Sequence, residues 1–255
     1  MAQNQLKIAS VLIIIIAVAL GLYFLACPEK TRNGDGVVDQ GDLPFVPTPV
    51  MVETPVPTPT PDPEPIPESH LLDVPFTSQA PFGNWGMPYQ EACEETAALV
   101  VHYYYEGKKF TPDLANREIL AIVDFENEHL GFYKDTTAEE TADWIKAYWG
   151  YDRVEVITDP TVEEIKRNVA EGRPVIVPTA GRELGNPNFT PPGPVYHFIV
   201  IRGYTPTSFI TNDVGTRLGE KYTYKIETVM DAMHDWNDGK VERGAKKIIV
   251  IWPDN

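Results

Sequence analysis

"PYQEACEETAALVVHYYYEG" spans residues 88–107 and holds the one cysteine that lies outside an N-terminal apolar stretch. The apolar run after Cys93 reads as a mostly buried helix. A cysteine opening such a helix has two readings. It is a small core residue, or it is a nucleophile whose thiolate is favoured by the positive end of the helix dipole. The neighbouring segments frame the choice. "LLDVPFTSQ", from Leu71, reads as a short strand entering a domain. "TPDLANREILAIVDFENEH" reads as a helix with Thr111 as its cap and Pro112 in its first turn. "TTAEETADWIKAYWG" is an amphipathic helix with Trp144, Tyr148 and Trp149 available for packing. "TVEEIKRNVAEG" is another, capped by Thr161 and stopped near Gly172. Strand patterns then dominate, in "RVEVIT", "RPVIVPT", "VYHFIVIRGYT", "SFITND", "KYTYKI" and "AKKIIVIWP". Early helices followed by an antiparallel sheet make an α+β layout. There is no internal repeat, and no glycine-rich phosphate loop follows a strand.

Three positions stand out together within that layout. Cys93 begins a helix, His197 lies in a strand, and Asp213 ends the next strand in "FITNDVG". A hairpin between Ile201 and Ser208 brings the last two close. Cysteine hydrolysis of the papain type needs this set: a thiol at a helix N-terminus, a histidine to take and return the proton, and a polar group to orient the imidazole. A tetrahedral oxyanion also needs donors. The candidates are the Cys93 backbone N–H and the Gln79 side chain, with Gln90 as alternative. Losing one such donor typically costs about 2.7–4 kcal/mol of transition-state stabilisation.

The blocks "LLDVPFTSQAPFGNW", "YQEACEETAALVV", "VYHFIVIRGYT" and "FITNDVGT" resemble those of the bacteriocin-processing, double-glycine-leader peptidase-like group, cysteine peptidase family thirty-nine. The resemblance covers roughly Leu71 to Pro253. It implies a papain-like fold, Cys93 as nucleophile, His197 as general base and acid, Asp213 as orienting residue and Gln79 in the oxyanion hole. This sequence departs from the family where Glu94 and Glu95 follow the cysteine in place of the glycine found in many members. Those carboxylates suit a helix N-terminus but raise the cost of a thiolate. Gln79 also stands far ahead of Cys93, so the intervening residues must loop out. No transporter domain follows, so coupled export is not expected of this chain.

Other residues have plainer roles. His102 reads as packing, as do Tyr103, Tyr104 and Tyr105. Glu139 and Glu140 read as a solvated helix face. Trp85 and the segment "TAGRELGNPNFTPPGPVYH" are candidates for a cleft wall or lid. No His/Cys spacing suggests zinc.

Ahead of this domain the composition changes twice. Residues 1–27 contain "LKIASVLIIIIAVALGLYFLAC", close to the ~20 residues a helix needs to cross a bilayer. This reads as an uncleaved signal anchor. Leu25-Ala26-Cys27 also resembles a lipobox, with Phe24 where that motif prefers Leu. Either way the chain is tethered at a bacterial cell membrane, with its catalytic domain extracytoplasmic. Residues 28–43 contain "TRNGDGVVDQGDL", which resembles one calcium loop of a dockerin or EF-hand. Asn33, Asp35, Val37, Asp39 and Asp42 are its candidate ligands, and Thr31 stands where Asp is usual. A polar Gly/Asp turn without metal is the alternative. Residues 44–69 carry proline at nearly every second or third position, which removes donors and fixes φ. They read as an extended spacer of about 3.1 Å per residue. The folded domain is 70–255.

The formal net charge of -16 argues against nucleic acid as a partner. The expected function is therefore cleavage of a peptide or protein substrate by a membrane-tethered cysteine peptidase that needs no cofactor. The alternatives are hydrolysis of cell-wall peptide or another amide, and a catalytically silent module that binds peptide.

Overall fold

The computed structural model describes residues 65–253, so the N-terminal apolar segment and the calcium-loop ligands fall outside the described residues. Among the described residues, no helix is long and apolar enough to cross a membrane. None of their His, Cys, Asp and Glu side chains cluster so as to hold a metal ion.

Strands β1 (His70–Leu71), β2 (Arg153–Thr158), β3 (Val175–Ala180), β4 (Tyr196–Tyr204), β5 (Ser208–Asp213), β6 (Tyr222–Lys225) and β7 (Lys247–Trp252) form one antiparallel sheet. Its order is β2-β7-β3-β4-β5-β6, with β1 pairing the far end of β4. Helices α1 (Cys93–Tyr105), α2 (Pro112–His129), α3 (Ala138–Trp149) and α4 (Val162–Ala170) precede most of that sheet, as the patterning predicts. The pattern did not mark α5 (Ile226–Ala232), a seven-residue helix that continues directly from β6.

Local chemistry sets the helix boundaries. Thr111 accepts the Leu114 N–H ahead of α2, with Pro112 in the first turn. Thr137–Glu140 and Thr161–Glu164 close reciprocal capping boxes on α3 and α4. Glu140 is thus a cap rather than a free surface acid. Glu139 is likewise engaged, since the Lys247 Nζ donates to it.

The central helix α1 is buried from Cys93 to Val101. The run Ala97–Val101 leaves no polar face and must be enclosed, and α1 packs against both β4 and α2. His102 stacks on Trp149 and pairs with the Tyr151 hydroxyl, a packing role.

One irregularity bears on the site. Ile201 pairs with Thr211 and Gly203 with Ile210, leaving Arg202 as the extra residue of a bulge. Arg202 is fully buried, and its guanidinium donates to the Leu72 carbonyl and to Asn212 Oδ1. It ties β1 to the residue before Asp213. The folded unit also begins before residue 70: Ile66 packs on the core, and the Pro67 carbonyl accepts the Tyr204 hydroxyl.

Candidate active site

His197 is the second residue of β4, and Asp213 is the last of β5. Asp213 pairs across the ladder with Ile199. His197 is therefore its diagonal neighbour on the same face of the sheet, a separation that long side chains can bridge. His197 Nε2 lies 2.8 Å from Asp213 Oδ1, and both side chains are buried. The same oxygen accepts the Gly215 N–H at 3.0 Å. Oδ2 accepts Asn186 Nδ2 at 2.8 Å and the Tyr224 hydroxyl at 2.6 Å.

Burial alone would raise the Asp213 carboxyl. The His197 charge and the hydrogen bonds from His197, Tyr224 and Asn186 outweigh burial and hold it below the usual carboxylate range. An ionised acceptor requires Nε2 to be the donor, so in the neutral imidazole Nδ1 carries the free lone pair.

Three neighbours of this pair escaped the sequence reading. Asn186 comes from the long Gly/Pro segment expected to wall the cleft, and Tyr224 comes from β6. Gly215 lies against the imidazole: a Cβ there would sit 2.7 Å from His197 Cε1. The signal for Gly215 was present in "NDVG", where a glycine follows two residues after the strand end at Asp213; Asn186 and Tyr224 left none. Phe189, from the same wall segment, meets the imidazole edge-on at 5.4 Å between ring centroids.

Cys93 is the first residue of α1 and is 5% exposed. The Cys93 helix packs on β4, whose Phe198 backbone favours the ionised sulfur. The helix N-terminus and the histidine strand thus meet at adjacent residues. No hydrogen bond joins Cys93 to His197, however. The thiol donates to Glu94 Oε2 at 2.9 Å.

The surroundings of this thiol oppose the lowering expected from the helix dipole. Burial pushes it well above the ordinary range, the Glu94 charge and hydrogen bond add to that, and the Phe198 backbone opposes them only in part. A dipole acts through partial charges at the first turn, and here a buried carboxyl occupies that turn.

Gln79 lies close by, with its backbone N–H on the Val214 carbonyl. Its side-chain amide is already engaged. Nε2 donates to the Tyr89 and Gln90 carbonyls at 2.9 and 3.2 Å, and buried Oε1 has no partner. In this arrangement Gln79 braces the loop before α1, and donating to an oxyanion would require releasing one of those carbonyls. Gln90 is exposed on the single helical turn Tyr89–Glu91. Trp85 is exposed with Phe82 and Met87 on the loop that leads to Cys93.

The family model for the Peptidase_C39 like family matches residues 71–240. A crystal structure of a C39-like peptidase from Bacillus anthracis is similar at 16% identity and a TM-score of 0.49, covering 74% of this chain and 99% of that one. No curated protein matches the chain. On the family match, the chain belongs to the Peptidase_C39 like family: it is a cysteine peptidase with an α+β papain-like fold.

Proposed function

We propose that this family member is a membrane-tethered, extracytoplasmic peptidase that cleaves peptide bonds through Cys93, His197 and Asp213. The observation that carries the reading is the fully bonded His197–Asp213 pair beside a cysteine at the head of α1. In the reaction, His197 Nδ1 takes the Cys93 proton and Sγ attacks the substrate carbonyl carbon. The C–N bond then breaks as His197 protonates the leaving amine, leaving a thioester. Water, deprotonated by His197, attacks that thioester to give the acid and regenerate the thiol. The Cys93 backbone N–H is the first candidate to meet the oxyanion.

The tether is read from residues 6–27, and calcium in the 31–43 loop belongs to the same proposal. A calorimetric titration of a peptide of residues 28–45 that releases no heat with calcium removes the metal.

The test of the chemistry is hydrolysis of a mixed peptide library and of purified peptidoglycan by the full chain, by Cys93→Ala and by His197→Ala. Cleavage that disappears in both variants supports the reading, and the preferred substrate separates a general peptidase from a cell-wall hydrolase. Undiminished cleavage by Cys93→Ala refutes it.

A second reading, a silent peptide-binding module, is favoured by one specific observation, the thiol hydrogen bond to Glu94. Peptide affinity without turnover in the unaltered chain selects it.

A further inference from the structure

Two carboxyl groups outside the proposed reaction are buried in the first turn of α1 beside the nucleophile, Glu94 and Glu95, and a third, Glu126 on α2, faces them. Only Glu94 touches the sulfur. Its Oε2 accepts the thiol at 2.9 Å, and its Oε1 accepts the Thr136 N–H at 3.2 Å. Thr136 is itself held in place. Its carbonyl accepts the Tyr196 hydroxyl, and its own hydroxyl pairs with Thr141. Tyr196 immediately precedes His197 on β4, so the residue that holds Thr136 and the proposed base are adjacent on one strand.

Resting on the reading of Cys93 as nucleophile, we propose that Glu94 is a positioning residue that limits thiolate formation: as a carboxylate it holds the Cys93 proton against His197, and as a neutral acid it supports the sulfur.

The surroundings of Glu94 explain why it can change state. No Lys or Arg pairs with it among the described residues. The groups that face it are Asp135 from the loop before α3, Glu95 beside it, Glu126 across from α2, and the Tyr196 phenol from β4. Burial above all, with the Asp135 charge, raises its carboxyl to about 8, while the hydrogen bonds from Cys93 and Thr136 pull the other way. The carboxyl remains a stronger acid than the buried thiol. The first proton to leave the pair is therefore lost from Glu94, and a thiolate then has to form beside a negative charge. While Glu94 is neutral, its O–H can donate to the sulfur instead, and the thiol proton passes to His197 Nδ1 with no change at Glu94.

The experiment is the rate of iodoacetamide alkylation of Cys93 against pH in the full chain, read by mass spectrometry of the Cys93 peptide so that Cys27 is counted separately. In Glu94→Gln the rate at pH 9 should rise at least about tenfold, one unit of thiol ionisation. Glu95→Gln removes an equally buried carboxyl that does not touch sulfur, and it should change the rate less than about twofold. A Glu94→Gln rate within twofold of the unaltered chain, or an equal rise in Glu95→Gln, overturns the proposal.

The unaltered chain alone also tests it, should a variant fail to fold. Its alkylation midpoint should lie above the roughly 8.5 of a free cysteine, and a midpoint below that overturns the proposal. Alkylation needs no substrate, so its failure is separable from that of the peptidase reading. An unmoved profile in a chain whose cleavage still depends on Cys93 removes only the role of Glu94, whereas cleavage by Cys93→Ala removes both.

Discussion

The two sides of the candidate site are built to opposite electrostatic rules. Asp213 is enclosed and receives four donors, from His197, Gly215, Asn186 and Tyr224, which keep it ionised. Glu94, a residue away from the nucleophile, is equally enclosed and receives only a thiol and one backbone amide, so burial pushes it towards the neutral acid. Burial by itself therefore does not decide the charge of a carboxyl; the number and strength of its donors do. Under the proposed reading, the histidine side is preorganised to act as a base, while the surroundings of Cys93 favour its thiol.

Five substitutions break or sharpen this contrast. Asp213→Asn should have the largest effect. An amide there keeps the shape but presents a donor to Nε2, so the imidazole takes the wrong tautomer. Cleavage should fall by roughly 10³–10⁴ in kcat, measured on the best peptide from the library.

Gly215→Ala comes next. Its methyl would fall 2.7 Å from His197 Cε1, and the imidazole must shift. A misplacement on that scale costs on the order of 10² in kcat, with alkylation of Cys93 left far less affected than turnover.

Glu126→Gln tests the acid side through stability. The buried carboxyl oxygens of Glu95 and Glu126 have no hydrogen-bond partner, and the Glu126 charge bears on Glu95. Burial raises both, Glu126 to about 9. A folded carboxyl raised above its unfolded value of 4.5 contributes stability that is fully present at low pH and is lost as pH rises towards 9. Glutamine can donate to Glu95 without titrating. The variant should therefore gain stability relative to the unaltered chain progressively as pH rises from 5 to 9 in urea unfolding. A constant difference across that range would mean that Glu126 does not titrate in it.

The smallest effect should come from the caps. Thr161→Ala and Thr137→Ala should each cost about 1 kcal/mol of stability. Only Thr137→Ala, which loosens the residue next to Thr136, should also move the Cys93 alkylation profile. Equal profiles in the two variants would mean that the Thr136 clamp does not govern Glu94.

Much of this was legible in the chain. The helix and strand periods of α1 to α4 and of β2 to β7 follow from which positions are apolar, because each element buries one face or all of itself. The His197–Asp213 approach followed from a hairpin and the two-residue period of strands. Asn186 and Tyr224 were not legible, since they reach Asp213 from segments 27 residues before and 11 residues after it. Nor was the turning of Gln79 onto the Tyr89 and Gln90 carbonyls, which depends on how its loop closes.

By itself, the sequence determined the α+β order, the caps, and the presence of Cys93, His197 and Asp213 at the ends of their elements. These depend on local period and on residue chemistry, which any reader of the chain can see. Only the tertiary structure decided the charge on each group. Enclosure by α2, β4 and the 135–137 turn leaves Glu94 with few donors and Asp213 with many, and desolvation strength is a property of neighbours brought together by folding. The residue pattern that marks a nucleophile is thus fixed in the chain, while the proton it carries is fixed by the fold.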